Sequence, residues 1–273
     1  MGTLMKADFY KLKKSRSWFV CIVVAFVIGV IMSVLYYMAW KMVGNNVEFT
    51  RTLMESLGSD EKTINDMLMV VPDNNSWAYI STALADTNVL YITAIVISIF
   101  VSSEYSMGTI KNSVSRGCPR TAVYFSKLIF SLAAMVTVVV SYLLGSGMVG
   151  CILFGFSAKI SAGQILLTLA GYIVQFAAAG SVFVMIAVLM RKTGYAVAFS
   201  IVIPMLITSL LQVAAISVNN SNLFSRFWLF LSITSTQNFC LNGEAYVPFL
   251  VGTAYLVLSA LVGIIVFRRQ ELK

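Results

Sequence analysis

The chain has 273 residues, of which 59% are hydrophobic and 11% are charged, and its formal net charge is +8. Soluble domains carry roughly 25% charged residues, so this apolar excess predicts a membrane protein. No soluble basic domain is present, and the positive charge therefore indicates basic loops beside anionic lipid rather than a nucleic-acid partner. The sequence contains no His and no GxxxxGK[ST] motif, which excludes His-ligated metals, His-dependent nucleophiles and a P-loop. We expect no catalytic residue, metal site or cofactor in this chain.

The N-terminal segment "MKADFYKLKKSRSW" alternates apolar and basic residues with helical spacing. A basic amphipathic helix of this kind binds at the membrane interface, so we expect an interfacial helix over residues 5–17. The alternative is a simple cluster of charges that sets the topology. The residues assigned to the interfacial helix are Met5, Phe9, Leu12, Lys13 and Lys14.

Charge-free apolar windows long enough to cross ~30 Å of hydrocarbon at about 1.5 Å per residue occur six times. They are residues 18–40, about 87–103, and stretches within 128–156, 163–190, 195–218 and 246–267. The second could begin as early as Tyr79, with Asp86 close to the outer surface, and Pro204 should kink or break the fifth. The first is too long for a signal peptide, and six spans put both termini on one side.

Lysine and arginine are distributed unevenly between the segments that connect these spans. The N-terminus, the loop after the second span, the loop after the fourth span and the tail hold fourteen of the 19 basic residues. By the positive-inside rule, these segments and both termini are predicted to face the cytoplasm.

Two longer segments fall on the predicted outer side. Residues 41–78 are acidic, and their apolar spacing predicts two short amphipathic helices, which either cover the outer mouth or contact substrate. Residues 219–245 include the uncharged "FWLFLSITSTQNFCLNG", which is too short and too polar for a span. We expect an outer re-entrant segment there, surrounded by protein or a wet cavity.

Residues 104–120, "EYSMGTIKNSVSRGCPR", form the most informative segment. Gly108 permits a turn, Thr109 can cap a short helix, and the Gly-Cys-Pro sequence ends it. Ile110 and Val114 supply an apolar side that needs a partner to bury it. The alternative is an ordinary positive-inside loop.

Polar side chains are few within the fourth and fifth spans, and no Asp, Glu, Lys or Arg lies in the middle of a span. This argues against ion-coupled transport, which needs ligands at depth, and favours an amphipathic or hydrophobic cargo. Gln175, Thr208 and Gln212 are candidates for a cargo path, although hydrogen bonding between helices is the more usual role of such residues.

These features together resemble the type-2 ABC exporter permeases, and within them the lantibiotic-immunity and bacitracin-resistance subgroup. The resemblance rests on Glu104 at the end of the second span, the following "YSMGTIKN" and "RGCPR", the entry segment "MKADFYKLKKSRSWF" and the six-span layout. It covers residues 1–273 as a single transmembrane domain and is most specific over residues 104–120. The fold that it implies is an all-α membrane protein with six transmembrane helices, an interfacial helix and a cytoplasmic coupling helix.

The resemblance implies a permease subunit of an ATP-driven exporter in the bacterial cytoplasmic membrane, itself not an enzyme. A separate ATPase subunit would bind ATP and Mg²⁺, and a second permease copy or a related permease would complete the pathway. The cargo would be an amphipathic molecule such as an antimicrobial peptide. The residues that the resemblance assigns to coupling with the ATPase are Glu104, Tyr105, Gly108, Thr109, Ile110, Lys111, Asn112, Arg116 and Arg120.

Two other classes of function stay open from the sequence. A non-transporting sensor or scaffold that holds an ATPase would explain the acidic outer segment, and cargo flux would separate it from an exporter. A secondary transporter would depend on an ion gradient and would need no ATPase.

Overall fold

A computed structural model of the chain describes residues 2–45, 52, 76–115, 117–155, 160–218 and 224–270, and no strand occurs among them. Helices satisfy their own backbone donors and acceptors, which crossing a bilayer requires. Arg116, most of the predicted outer segment 41–78 and residues 219–223 lie outside this part of the chain. In chain order the helices are α1 (Gly2–Lys14), α2 (Arg16–Asn45), α3 (Ser76–Ala85), α4 (Thr87–Ser106), α5 (Thr109–Ser115), α6 (Arg120–Phe154), α7 (Ala162–Met190), α8 (Thr193–Val218), α9 (Leu229–Leu241) and α10 (Tyr246–Arg269).

Six of these helices, α2, α4, α6, α7, α8 and α10, are long and apolar enough to cross a membrane. This confirms the prediction of an all-α, multi-pass membrane protein. The ends of the helices differ from the predicted windows. α6 begins at Arg120, well before the predicted third span, because the helix includes the charged residue Lys127, which a charge-free window excludes. α8 continues as one helix through Pro204, so the expected break is wrong, and a kink at this proline stays a prediction.

Asp86 separates α3 from α4 and has an extended backbone. The side chain of Asp86 caps α4 by accepting a hydrogen bond from the backbone N–H of Asn88 at 2.9 Å. Asp is favoured at this position because its carboxylate satisfies a free backbone donor. An earlier start of the second span near Tyr79 is therefore wrong, since Tyr79 belongs to the separate helix α3.

The core lies where α7 packs against α4, α9 and α10. Residues 178–181 of α7 are Ala, Ala, Gly and Ser, and all four are buried. Small side chains let neighbouring helices approach closely in a bilayer. At this contact the hydroxyl of Ser259 in α10 donates a hydrogen bond to Ser181 Oγ at 2.7 Å.

α2 packs along α6 through two glycines. A Cβ atom on Gly29 would lie 2.5 Å from the carbonyl oxygen of Tyr142, and one on Gly145 would meet the carbonyl oxygen of Phe26 as closely. The two backbones therefore leave no room for a side chain at either position. Packing through small residues is expected for helices whose solvent is lipid.

The outer surfaces of α2 and α8 are strongly apolar. Only 17% of the residues in their most apolar stretches are buried, and large side chains such as Phe19 and Leu210 are exposed. A contiguous apolar surface of this extent would drive association in water. Hydrocarbon is a good solvent for it, which supports the membrane assignment.

Most of the lysines and arginines in the described part of the chain lie towards one end of the helix bundle. We call the end that holds α1, α5 and the C-terminal end of α10 the basic end, and the end that holds α3 and Asp86 the opposite end. Asp86 and Glu104 stand at the two ends of α4. At about 1.5 Å per residue they are ~27 Å apart, which is close to the thickness of the hydrocarbon layer.

Candidate functional site at the basic end

Three charged side chains from three helices meet inside the basic end. The Lys127 Nζ of α6 lies 2.5 Å from Asp8 Oδ1 of α1 and 2.7 Å from the carboxylate of Glu104 of α4. The exposed fractions of Lys127, Asp8 and Glu104 are 5%, 2% and 3%. The hydroxyl of Ser126 donates to Asp8 Oδ2 at 2.6 Å. We call Asp8, Glu104 and Lys127 the buried ion cluster.

The buried ion cluster holds two carboxylates and one ammonium group, and Lys11 lies at its rim. Buried charges are tolerated when they are paired and hydrogen-bonded, and the loss of one partner is strongly destabilising. Lys11 Nζ lies 3.4 Å from Glu104 Oε1, but the Lys11 side chain is 40% exposed, so solvent screens this pair. The ring of Phe100 lies 5.8 Å from Lys127 Nζ, within the range of a cation–π contact.

The face of the N-terminal helix α1 that is buried against the rest of the chain includes an acidic residue. Asp8 and Leu12 are buried, while Met5 and Phe9 are exposed, although the Phe9 ring lies 6.4 Å from that of Phe130. Lys13 and Lys14 are also exposed. Sequence reasoning grouped the apolar residues and missed Asp8, which shares a face with Leu12 because it lies four residues before it. The sequence did offer one indication of this buried contact, because Asp8 is a single acid within a basic helix.

Two glycines bound the short helix α5. Gly108 has φ +66° and Gly117 has φ +86°, a left-handed backbone that glycine adopts without the penalty of a Cβ atom. The hydroxyl of Thr109 donates to the carbonyl oxygen of Glu104 at 3.3 Å. The start of α5 is therefore held against the end of α4, next to the buried ion cluster.

α5 has an inner and an outer face. Ile110 is only 2% exposed and belongs to the hydrophobic core of the chain, while Val114 is half-buried and Lys111 and Asn112 are exposed. The expectation that a partner must bury Ile110 is wrong, because the chain buries this side chain itself. The outer face of α5 is polar and carries a positive charge.

The C-terminal end of α10 is held at the same corner. Arg120 Nη1 donates to the carbonyl oxygens of Arg268 at 2.6 Å and Gln270 at 2.8 Å. Gln270 Nε2 donates to the carbonyl oxygen of Val188 at 2.9 Å, and the Tyr105 hydroxyl donates to Gln270 Oε1 at 3.3 Å. These bonds join α4, α6, α7 and α10 at the basic end.

The candidates for a cargo path lie away from this corner. Gln175 is fully buried. Its amide donates to Ser232 Oγ at 2.6 Å and accepts from Thr236 Oγ1 at 2.5 Å, which joins α7 to α9. Thr208 accepts a hydrogen bond from Trp228 Nε1 at 2.9 Å, and Gln212 is exposed. Gln175 and Thr208 thus connect segments of the chain, and a role of these residues in a cargo path stays a prediction.

α9 lies within the predicted outer re-entrant region. It has 13 residues, which reach only ~20 Å and fall short of the ~30 Å of a bilayer core. Most of its residues are buried, and it packs against α7 and α10. The segment is therefore a regular short helix rather than irregular chain, and its position as a re-entrant segment at membrane depth stays a prediction.

These observations define a multi-pass, all-α membrane protein whose helices are joined at one end by a buried ion cluster. The chain belongs to the family described as "Protein of unknown function (DUF2705)", which matches residues 62–272. No curated protein and no solved structure matches the chain significantly. The matched region contains Glu104 and Lys127 but not Asp8. Among the described residues, no group of three or more His, Cys, Asp or Glu is placed to hold a metal ion.

Proposed function

We propose that the chain is the membrane permease subunit of an ATP-driven exporter and that a separate ATPase subunit binds its basic end. The observation that carries this proposal is the position of α5 between two spanning helices. Its apolar side is held by the chain, through Ile110, and its polar side, with Lys111 and Asn112, is exposed. A partner that pushes on the polar side would therefore move the ends of α4 and α6 together.

The buried ion cluster supports a role in transmitting such a movement. Glu104 lies at the end of α4, accepts a hydrogen bond from Thr109 of α5 through its carbonyl oxygen, and pairs with Lys127 of α6 through its carboxylate. Lys127 in turn pairs with Asp8 of α1. Packed, ion-paired contacts have discrete arrangements rather than continuous deformations, so the displacement of one helix would shift all of them.

The exposed lysines of the basic end favour an acidic partner surface. Lys111 on α5 and Lys13 and Lys14 on α1 are all exposed. Complementary charge raises the rate and specificity of association between proteins. The proposed cargo is an amphipathic molecule such as an antimicrobial peptide, which a second permease copy or a related permease would help to enclose.

The test is to isolate the tagged chain from its native membranes in mild detergent and to identify a stoichiometric ATPase by mass spectrometry. Lys111→Glu reverses a charge on the outer face of α5 and should weaken ATPase association about tenfold, equivalent to ~1.4 kcal/mol. Lys192→Glu makes the same change on an exposed loop of the same end and should leave association unchanged. A chain that purifies alone, or equal effects of the two variants, would contradict the proposal.

Flux measurements in proteoliposomes separate the exporter from the two alternatives. ATP-dependent flux of a fluorescent cationic peptide is expected for the exporter. ATPase association without flux would instead support a sensor or scaffold. Flux that needs an ion gradient and no ATPase would support a secondary transporter.

A further inference from the structure

A cavity of about 540 Å³ lies at the opposite end, among α2, α3, α4, α6 and α9. Its volume falls within the range of roughly 300–1,000 Å³ that is typical of small-molecule sites. The wall combines phenol rings and hydroxyl groups with apolar side chains. The lining residues that matter for its chemistry are Tyr36, Tyr79, Asp86, Tyr142 and Thr234.

Asp86 gives the cavity a negative charge. Its Oδ1 accepts hydrogen bonds from the backbone N–H and the side-chain amide of Asn88, both at 2.9 Å, and its Oδ2 accepts one from the hydroxyl of Tyr142. Each carboxylate oxygen can accept two hydrogen bonds, so Oδ2 retains capacity for a ligand. Within the described parts of the chain, the ion pairs of Lys and Arg involve other acids.

Aromatic rings complete the electrostatic character of the cavity. The rings of Tyr36 and Tyr79 meet edge to face, with centroids 5.8 Å apart, and the face of a Tyr ring attracts cations. Burial, together with the neighbouring phenols of Tyr36 and Tyr37, raises the pKa of Tyr79 to about 12. The Tyr79 phenol is therefore neutral at physiological pH, and the negative charge of the described lining residues resides on Asp86.

We propose that this cavity binds a small monovalent organic ammonium ion with an apolar body. The Asp86 carboxylate and the phenol rings would attract the ammonium group, and Met32 and Leu35, which also line the cavity, would contact the apolar body. Hard metal cations instead need several oxygen ligands around one point, whereas the described residues of this lining offer a single carboxylate. The site does not rest on the proposed exporter function, because binding requires neither an ATPase nor transport.

The probe for this site is phenyltrimethylammonium, a cation that does not titrate, compared with its neutral isostere tert-butylbenzene. Equilibrium dialysis with the purified full chain should show saturable, one-to-one binding of the cation and at least about tenfold weaker binding of the isostere. Asp86→Asn removes the charge but keeps a side chain that caps helices equally well. It should weaken cation binding by at least about tenfold and leave binding of the isostere unchanged.

Two further variants keep the test decisive. Glu244→Gln removes a carboxylate outside the cavity, where Glu244 pairs with Arg226 at 2.7 Å, and binding should not change. Thr234→Trp fills the cavity from α9 without altering the cap of α4 and should weaken binding of both probes. The site is refuted if the wild-type chain binds no cation saturably, if the isostere binds equally well, or if Asp86→Asn or Thr234→Trp binds the cation like the wild type.

Discussion

The two ends of α4 use their carboxylates in different ways. At the basic end, Glu104 is buried and pairs with the ammonium group of Lys127, which also holds Asp8. At the opposite end, Asp86 is half-buried, receives hydrogen bonds from neutral donors and borders a cavity. A carboxylate that shares a buried cation holds helices together. A carboxylate whose partners in the described part of the chain are neutral, beside an open space, can still gain a charged ligand.

The largest expected effect is the loss of the shared cation at the basic end. Lys127→Met keeps most of the side-chain volume but leaves Asp8 and Glu104 buried without their common partner. Breaking a buried ion pair in this way costs about 3–5 kcal/mol. Denaturant or SDS titration of the purified chain would measure the free energy of unfolding, and Lys192→Met, at an exposed lysine of the same end, should change it by less than about 0.5 kcal/mol.

A neutral replacement of the whole cluster tests whether charge is the cause. The triple variant Asp8→Leu, Glu104→Met, Lys127→Met removes every charge of the cluster, and replacement of buried ion pairs by hydrophobic residues of similar volume is often close to neutral in stability. It should recover most of the stability lost in Lys127→Met. A triple variant as unstable as the single one would mean that packing of the Lys127 side chain, rather than its charge, stabilises the basic end.

The second effect in size concerns the hydrogen bonds that hold the end of α10. Gln270→Ala removes the donor to Val188 and the acceptor for Tyr105, and unsatisfied buried groups cost about 1–3 kcal/mol. Gln212→Ala is the matched control, because Gln212 is exposed on α8. Equal unfolding free energies for the two variants would show that the contacts of Gln270 contribute nothing to the basic end.

A smaller effect is expected at the opposite end. Tyr142→Phe removes one neutral donor to Asp86, but both bonds from Asn88 remain, so the cost should be about 1 kcal/mol. Tyr246→Phe, at an exposed tyrosine, controls for the substitution itself. If Tyr142→Phe lowered the unfolding free energy as much as Lys127→Met, Asp86 would be as dependent on its partners as Glu104, and the contrast between the two ends would fail.

The sequence predicted the features that lipid imposes on each helix separately. Six apolar windows of sufficient length indicated six spanning helices, because hydrocarbon thickness sets that length. The pairing of Asp8 with Lys127 joins residues 119 positions apart. Local sequence patterns do not predict which helices pack against each other, so they could not predict this pair. The predicted third span excludes Lys127 because it is charged, although the apolar residues on both sides of it indicate a buried lysine that needs a counter-ion.

The cavity at the opposite end likewise could not be predicted from local sequence patterns. Asp86 was expected close to the outer surface, and its position before an apolar window is typical of a helix cap. The cavity beside it depends on the packing of α2, α3, α6 and α9 around the start of α4. Its volume and its phenol rings come from residues as far apart in the chain as Tyr36 and Thr234, so periodicity alone could not predict it.

The smallest expected effect distinguishes the interior of the buried ion cluster from its rim. Lys11→Ala removes a lysine whose Nζ lies 3.4 Å from Glu104 Oε1 and whose side chain is 40% exposed, and such screened pairs contribute about 0–1 kcal/mol. The effect should fall further at 1 M salt, where the Debye length is ~3 Å, while that of Lys127→Met should persist because salt does not reach a buried pair. If Lys11→Ala instead destabilised the chain as much as Lys127→Met at both salt concentrations, Lys11 would be the counter-charge that holds Glu104, and burial of Lys127 would not be what stabilises the basic end.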